Sequence, residues 1–283
     1  MQRFLLLVVL TLLVMLTVLA MAGCATPGTT VNLQPRADVT QKYLWIPAEQ
    51  ARANVILFAG GTGRLDLSAS GAINNGENNF LVRSRNLFIG HGFNVALFDA
   101  PSDQQGHRGM RDGFRQTSKH ATDIAAVISD IQHKNSLPVW LIGTSRGTES
   151  VATAGIEHSD KISGVVFTAT VTAANDQGTE VPAMGLEKIT VPVFIASHKN
   201  DACWVTPSEG VEEVKAALIK APNVQIAYFE GGSKAESKPC NARTPHGFYG
   251  IEKQVIATIA DFINTNAAKR AMKVGQQTSG VLQ

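Results

Sequence analysis

Short apolar runs that end in small or polar residues recur along the chain. They are residues 54–58, 93–98, 137–142, 164–167, 191–196 and 224–229. Continuous apolar runs of this length are typical of strands that are buried on both faces of a parallel sheet. The pattern therefore predicts buried strands in these six places.

Stretches with the apolar spacing of helices separate these runs. In residues 119–133, isoleucine and valine side chains form one apolar stripe, and Ser118 precedes them as a candidate N-cap. The other predicted helices cover residues 80–92, 146–158, 208–220 and 249–264. Repeated alternation of strand and helix predicts an α/β domain with a mostly parallel sheet and helices on both faces.

The apolar run at residues 137–142 leads directly into Gly143-Thr144-Ser145-Arg146-Gly147. Glycines on either side of a serine let a strand and the following helix approach each other without a Cβ clash. The pattern predicts a nucleophile elbow, a sharp turn that exposes the hydroxyl of Ser145.

A serine nucleophile needs a base that takes its proton and an acid that orients the base. Asp201 follows the predicted strand at residues 191–196, and His246 precedes the last predicted helix, so both come after Ser145 in the order serine, acid, histidine. Asp176, after the strand at residues 164–167, is a rival for the acid. The spacing alone does not bring these side chains together.

These motifs resemble those of the α/β-hydrolases over residues 39–267. The resemblance implies a three-layer α/β-hydrolase fold, with Ser145 as nucleophile, Asp201 as acid and His246 as base. Only about twenty residues separate the strands at 164–167 and 191–196, so we expect no large lid domain.

The resemblance also implies an oxyanion hole made by the backbone amides of Gly61, Thr62 and Arg146. The loop Ala59-Gly60-Gly61-Thr62-Gly63 departs from the histidine-led glycine motif of many lipases, which leaves the donating amide of this loop open. We expect no cofactor and no metal, because no cluster of His, Cys and carboxylate residues has ligand spacing.

The loop at residues 99–115 is polar and glycine-rich, and it follows a strand at the edge where active sites form. Its arginines, together with those beside the glycine loop and the elbow, are candidates for binding a substrate carboxylate or phosphate. These are Arg64, Arg108 and Arg111, with Arg115 and Arg146 as further members. An ordinary solvated basic loop, partly paired with Asp103 and Asp112, is the alternative.

Residues 1–23 combine an early Arg3 with a long apolar run and small residues before Cys24, as in export signals. The ending Met21-Ala22-Gly23-Cys24 resembles the bacterial lipobox, which implies lipidation of Cys24. An uncleaved membrane helix is the alternative. Both interpretations predict an exported protein of the bacterial periplasm or cell envelope that is held at the membrane.

The remaining chain divides into three predicted parts. They are a flexible tether at residues 24–41, a hydrolase domain at residues 42–267 and a C-terminal tail at residues 268–283. With Cys24 lipidated, Cys203 and Cys240 remain, and a pair in an oxidising compartment favours a disulfide.

The composition of the chain limits the kinds of partner that we expect. The chain has 283 residues, 44% of them hydrophobic, and a net charge of only +2, which does not favour nucleic-acid binding. We therefore expect a small-molecule or acyl substrate and a serine hydrolase that cleaves an ester or related acyl bond. The alternatives are a peptidase of the prolyl-peptidase kind and a non-catalytic surface binding protein on the same scaffold.

Overall fold

A single eight-stranded sheet organises the computed structural model, which describes residues 28–279 and the side chains of residues 28–267. The strands are Thr29–Arg36 (β1), Val39–Ile46 (β2), Ala53–Phe58 (β3), Phe93–Phe98 (β4), Val139–Thr144 (β5), Gly164–Thr168 (β6), Val193–His198 (β7) and Val224–Phe229 (β8). Their order across the sheet is β1-β2-β4-β3-β5-β6-β7-β8. The pairings β1·β2 and β2·β4 are antiparallel, and the other pairings are parallel.

Six α-helices accompany the sheet within residues 28–279. They are Phe80–Arg83 (α1), Arg85–Gly90 (α2), Ser118–Lys134 (α3), Gly147–His158 (α4), Val211–Ala217 (α5) and Glu252–Ser279 (α6). Apolar side chains of α3, α4 and α5 belong to one buried cluster against the sheet, and those of α1, α2 and α6 belong to a second. The sheet is thus covered on both faces.

The predicted fold class is confirmed. Every residue of β3, β4 and β5 is buried, as expected for strands covered on both faces. Between β6 and β7, where all residues are described, the chain forms only short 3₁₀ turns at Val181–Ala183 and Leu186–Lys188. There is accordingly no large lid at this point of the fold.

The predicted tether at residues 24–41 is wrong from Thr29 onward. These residues form β1, the turn to β2 and the start of β2, and they extend the sheet by an antiparallel hairpin. Val31 and Leu33 pack against the core, while Arg36 donates hydrogen bonds to the buried Asp123 of α3 at 2.8 and 2.9 Å. In the sequence, Val31 and Leu33 are two apolar residues among polar neighbours. This alternation of apolar and polar residues is too short to indicate an edge strand.

Several predicted helix boundaries differ from the structure. The helix at residues 80–92 is two helices, α1 and α2, which are interrupted at Ser84. The N-cap of α3 is Thr117, whose hydroxyl accepts from the amide of His120, and not Ser118. The predicted tail at residues 268–283 is helical as far as Ser279, because α6 runs on past Asn264.

The predicted signal at residues 1–23 and the lipidation site Cys24 lie outside the described residues. Within residues 28–279, no helix has both the length and the apolar character needed to cross a bilayer.

Candidate active site

Ser145 lies on a sharp turn between β5 and α4. Its φ angle is +52°, a left-handed value that is uncommon for a residue other than glycine. The amide of Ser145 donates to the carbonyl of Thr168 at 3.0 Å, and the Ser145 carbonyl accepts from the amide and the hydroxyl of Thr148 at 2.9 and 2.6 Å. These bonds hold the turn in its strained conformation.

The two glycines of the elbow are required by close packing. A Cβ atom on Gly143 would lie 2.3 Å from the carbonyl oxygen of Gly147. A Cβ atom on Gly147 would lie 2.1 Å from the carbonyl oxygen of Phe58 in β3. The start of α4 therefore approaches the sheet at backbone contact distance, as the pattern predicts for a nucleophile elbow.

Asp201 and His246 meet at the same edge of the sheet. Asp201 lies in the loop after β7, and His246 lies in a 3₁₀ turn before α6. The Nδ1 atom of His246 is 2.9 Å from Oδ2 of Asp201, and both side chains are almost fully buried. A carboxylate can only accept, so Nδ1 carries the proton and the Nε2 atom of the neutral ring is left as an acceptor.

Two further groups hold the Asp201 carboxylate. The amide of Cys203 donates to Oδ1 at 2.9 Å, and the hydroxyl of Thr206 donates to Oδ2 at 2.8 Å. Thr206 Oγ1 also lies 3.1 Å from Nδ1 of His246. Both carboxylate oxygens thus accept hydrogen bonds, which fixes the orientation of Asp201 toward the imidazole.

Ser145 and His246 line one small cavity of about 50 Å³. Its other lining residues are Gly60, Gly61, Asn79, Phe80, Thr144, Cys240, Ala242 and Gly247. Within residues 28–279, the hydroxyl of Ser145 makes no hydrogen bond to His246. Such contacts are often long in a free enzyme and shorten when substrate is bound. A cavity of this size accommodates a reacting group, so the bulk of a substrate would lie outside it.

Two of the residues predicted to form an oxyanion hole, Gly61 and Arg146, lie at or beside this cavity. Gly61 lines the cavity, while Arg146 follows Ser145 at the N-terminus of α4. In the turns and loops of residues 28–279, neither amide donates to a backbone carbonyl. Thr62 does not line the cavity and packs instead against Gly109, so Gly61 is the better-placed donor of the two predicted in this loop.

Part of the chain matches a protein-family model. Residues 85–206 match the model described as serine aminopeptidase, S33. No match was found among the sequences of curated proteins.

Several solved structures share this fold and can be superposed on most of the chain. The esterase Pf2001 of Pyrococcus furiosus is 15% identical, with a TM-score of 0.60 over 84% of this chain and 92% of that one. A soluble variant of the monoglyceride lipase of Saccharomyces cerevisiae is 10% identical, with a TM-score of 0.62 over 86% and 96%. Est1E of Butyrivibrio proteoclasticus is 13% identical, with a TM-score of 0.57 over 86% and 99%.

The chain has the α/β-hydrolase fold. Within this fold the predicted elbow residue, acid and base occupy the loops after β5, β7 and β8, at one edge of the sheet. Asp176, the rival acid, is exposed, and the hydrogen-bonded partner of His246 is Asp201.

The predicted disulfide between Cys203 and Cys240 is present. Cys203 lies two residues beyond Asp201, and Cys240 lies six residues before His246. The bridge therefore joins the loop of the acid to the loop of the base, and Cys240 itself lines the cavity.

The arginines predicted to bind substrate do not line this cavity. Arg64 donates to the carbonyl of Gln105 at 3.0 Å and borders a separate polar cavity of about 220 Å³. Arg108 is exposed and paired with Asp112, and Arg111 is half-buried. Arg64 and Arg108 thus both bind groups within the protein. For Arg108, the alternative of a solvated, partly paired basic loop fits better than a role in binding substrate.

Two of the candidate arginines, Arg115 and Arg146, lie instead in a group of buried polar residues behind the elbow, whose third member, Glu149, the sequence did not indicate. Arg115 is fully buried, and Arg146 is paired with the buried Glu149 at 3.0 Å. Burial raises the pKa of the Glu149 carboxyl, although the nearby Arg115 and Arg146 oppose this shift. Glu149 has no signal in the sequence beyond its place one turn after the elbow.

No group of three or more His, Cys, Asp or Glu side chains in the described part of the chain is arranged to hold a metal ion.

Proposed function

We propose that the protein is a serine hydrolase that cleaves a carboxylic ester or related acyl bond through an acyl-enzyme on Ser145. One observation carries the proposal. A serine on a strained elbow shares a cavity with a histidine whose far nitrogen is hydrogen-bonded to a buried aspartate. This is the set of groups that nucleophilic acyl transfer requires.

In the first half-reaction, Nε2 of His246 takes the hydroxyl proton as Oγ of Ser145 bonds to the acyl carbon. The carbonyl electron pair moves to oxygen, and the amides of Gly61 and Arg146 donate to that oxyanion. The intermediate collapses when the bond to the leaving alcohol breaks, and the alcohol receives the proton from His246. Water then attacks the acyl-enzyme by the same route and releases the acid and Ser145.

Asp201 would keep the imidazole in the tautomer that exposes Nε2 and would stabilise the imidazolium. The bonds from Cys203 and Thr206 support this role, because they hold the carboxylate in one orientation.

Covalent labelling tests the proposal. The wild-type protein should react with a fluorophosphonate probe and hydrolyse p-nitrophenyl esters. Ser145→Ala should lose the label and reduce kcat by about 10⁴-fold or more. Folded wild-type protein that stays unlabelled would instead favour a non-catalytic binding protein. Full ester turnover by Ser145→Ala would contradict Ser145 as the nucleophile.

The match to a serine aminopeptidase model favours one second candidate, a peptidase. Ester and amide cleavage use the same groups, so a paired panel decides between them. An acyl p-nitrophenyl ester and an aminoacyl p-nitroanilide should be compared by kcat/KM. Preference for the anilide would favour the peptidase.

We further propose that the protein is exported and anchored by lipid on Cys24. The support comes from the sequence before Cys24 alone. Metabolic labelling with a fatty acid should mark the wild-type protein and not the Cys24→Ser variant. Unlabelled wild-type protein that still sediments with membranes would favour the uncleaved helix.

A further inference from the structure

The guanidinium of Arg115 lies directly behind the glycine loop. It is fully buried, and its Nη1 atom donates to the hydroxyl of Ser150 in α4 at 2.6 Å. Its Nη2 atom donates to the carbonyl of Ala59 at 3.0 Å and lies 3.4 Å from the carbonyl of Gly61. A Cβ atom on Gly63 would lie 2.4 Å from Nη2, so the loop closes tightly over this side chain.

No carboxylate of the described residues forms an ion pair with Arg115. The nearest acidic group that affects it, Glu149, is already paired with Arg146. The three side chains together leave a net positive charge behind the elbow. Burying a charge without a contacting partner is unfavourable, and such groups concentrate at functional sites.

The hydrogen bonds of Arg115 fix the direction of the loop amides. In a trans peptide the carbonyl and the following N–H point in opposite directions. The Gly60 carbonyl accepts from the amide of Gly63 at 3.0 Å, which directs the Gly61 N–H away from the inside of that turn. Arg115 binds the carbonyls on both sides of this peptide, those of Ala59 and Gly61.

We propose that Arg115 is a positioning residue for the oxyanion hole. It holds the glycine loop so that the Gly61 amide faces the cavity, and its buried positive charge stabilises the negative charge that develops on the substrate oxygen. This inference rests on the proposed function, because it concerns the oxyanion of the same acyl transfer.

Arg115 remains charged at the pH where such an enzyme works. Burial lowers its pKa to about 10, with smaller contributions from Arg146 and Arg111 that are opposed by Glu149. The side chain therefore supplies both its hydrogen bonds and its charge at neutral pH.

Two substitutions separate the hydrogen bonds from the charge. Arg115→Met removes both, and we expect kcat for a p-nitrophenyl ester to fall about 100-fold, the scale of losing one oxyanion donor. KM should stay within about threefold, since the interaction forms only as the oxyanion develops. Arg115→Lys keeps a charge but cannot span both carbonyls, so it should recover about tenfold of the loss.

Binding of an alkyl boronic acid, which forms a tetrahedral adduct with the serine, gives a second readout. Its inhibition constant should rise in parallel with the loss of kcat in both variants. Arg36→Met is the matched control, because Arg36 bridges Asp103 and Asp123 away from the cavity. It should lower the thermal midpoint and leave kcat and boronate affinity unchanged.

The outcomes are distinct. Equal kcat and boronate affinity in folded Arg115→Met and wild type would overturn the inference, as would an equal loss of kcat in Arg36→Met. If Arg115→Met does not fold, Arg115→Lys decides, and wild-type kcat in that variant would overturn the positioning role. Wild-type protein without fluorophosphonate labelling would overturn the proposed function and this inference with it, whereas labelled wild type isolates a failure of the inference alone.

Discussion

Ser145, the proposed nucleophile, has a backbone conformation that costs free energy for any residue with a side chain. Left-handed φ values outside glycine cost on the order of 1–3 kcal/mol and persist where the surroundings enforce them. Here the enforcing groups are backbone bonds to Thr168 and Thr148. The backbone conformation that exposes the Ser145 hydroxyl is therefore enforced by neighbouring residues and is not the intrinsic preference of serine.

The acid of the triad can be tested by two isosteric changes. Asp201→Asn should lower kcat by about 10⁴-fold, because an amide facing Nδ1 favours the wrong tautomer of His246. Asp176→Asn, at the exposed rival position, should leave kcat within about twofold. Ester hydrolysis by the two variants provides the measurement, and the reverse pattern would reassign the acid to Asp176.

His120 should make stability depend on pH. Burial, with the positive charges of Arg115 and Arg36, holds its pKa well below the ordinary value. The folded protein keeps the ring neutral, whereas the unfolded chain binds a proton below about pH 6.5. Below that pH this group should therefore lower the free energy of unfolding by about 1.4 kcal/mol per pH unit.

The variant His120→Gln checks this expectation, since its amide can keep a hydrogen bond to Ser150 and cannot titrate. Urea unfolding at several pH values between about 7 and 5 gives the free energies. The stability difference between wild type and variant should shift in favour of the variant as pH falls. A difference that is independent of pH would contradict a neutral buried ring.

At the scale of elements, the contact between β3, β5 and α4 positions the elbow. Gly143 and Gly147 allow that contact, and the first turn of α4 lies against the end of β3. A larger residue at either position must push the helix away from the sheet. The elbow is thus a property of three elements and not of the five-residue pattern alone.

Gly147→Ala should lower the free energy of unfolding by about 3 kcal/mol or more, because the new methyl group meets a backbone carbonyl that cannot rotate away. Ester hydrolysis should be lost with it. Gly90→Ala in α2 is the control: nothing lies within 4 Å of its Cβ position, so stability should stay unchanged or rise by up to about 1 kcal/mol. Similar stability of the two variants would contradict the packing argument.

Elements differ in how well their sequences predict them. Buried parallel strands such as β3 and β5 are continuous apolar runs, and their pattern is unambiguous once turns follow. No residue of the edge strand β1 is fully buried, so its sequence resembles that of a linker. The break at Ser84 between α1 and α2 depends on tertiary packing and leaves no local signal.

At the scale of the whole molecule, the sheet brings together loops that are far apart in sequence. The placement of Ser145, Asp201 and His246 at one edge of the sheet follows from strand ends and chain order, because parallel strands bring their carboxyl ends to one edge. Arg115 is a candidate for binding substrate in the sequence, with a solvated basic loop as the alternative, but it is buried behind the loop. Its burial depends on three segments packing together, which no pattern within one segment reveals.

The disulfide should affect both stability and activity. Its cysteines are 37 residues apart, and a loop of that length gives about 4 kcal/mol in the chain-entropy model. We expect the double variant Cys203→Ser, Cys240→Ser to lose about this much stability. Its kcat should also fall at temperatures where it is folded, because the bridge fixes the segment whose Cys203 backbone amide holds Asp201 and the segment of Cys240 that lines the cavity.

Urea unfolding and ester hydrolysis of the double variant, with the reduced wild type beside it, provide the measurements. An unchanged kcat with lower stability would mean that the bridge stabilises exposed loops without a part in catalysis.

The turn at position 145 has an evolutionary consequence. Its geometry is set by Gly143, Gly147 and backbone bonds, none of which involves the serine hydroxyl. The nucleophile is therefore interchangeable without rebuilding the scaffold. A cysteine would bring thioester chemistry to the same cavity, and an aspartate, which tolerates left-handed φ better than most residues, would bring an acyl-aspartate or alkyl ester intermediate. A single codon change at this position is thus a short route to a new reaction.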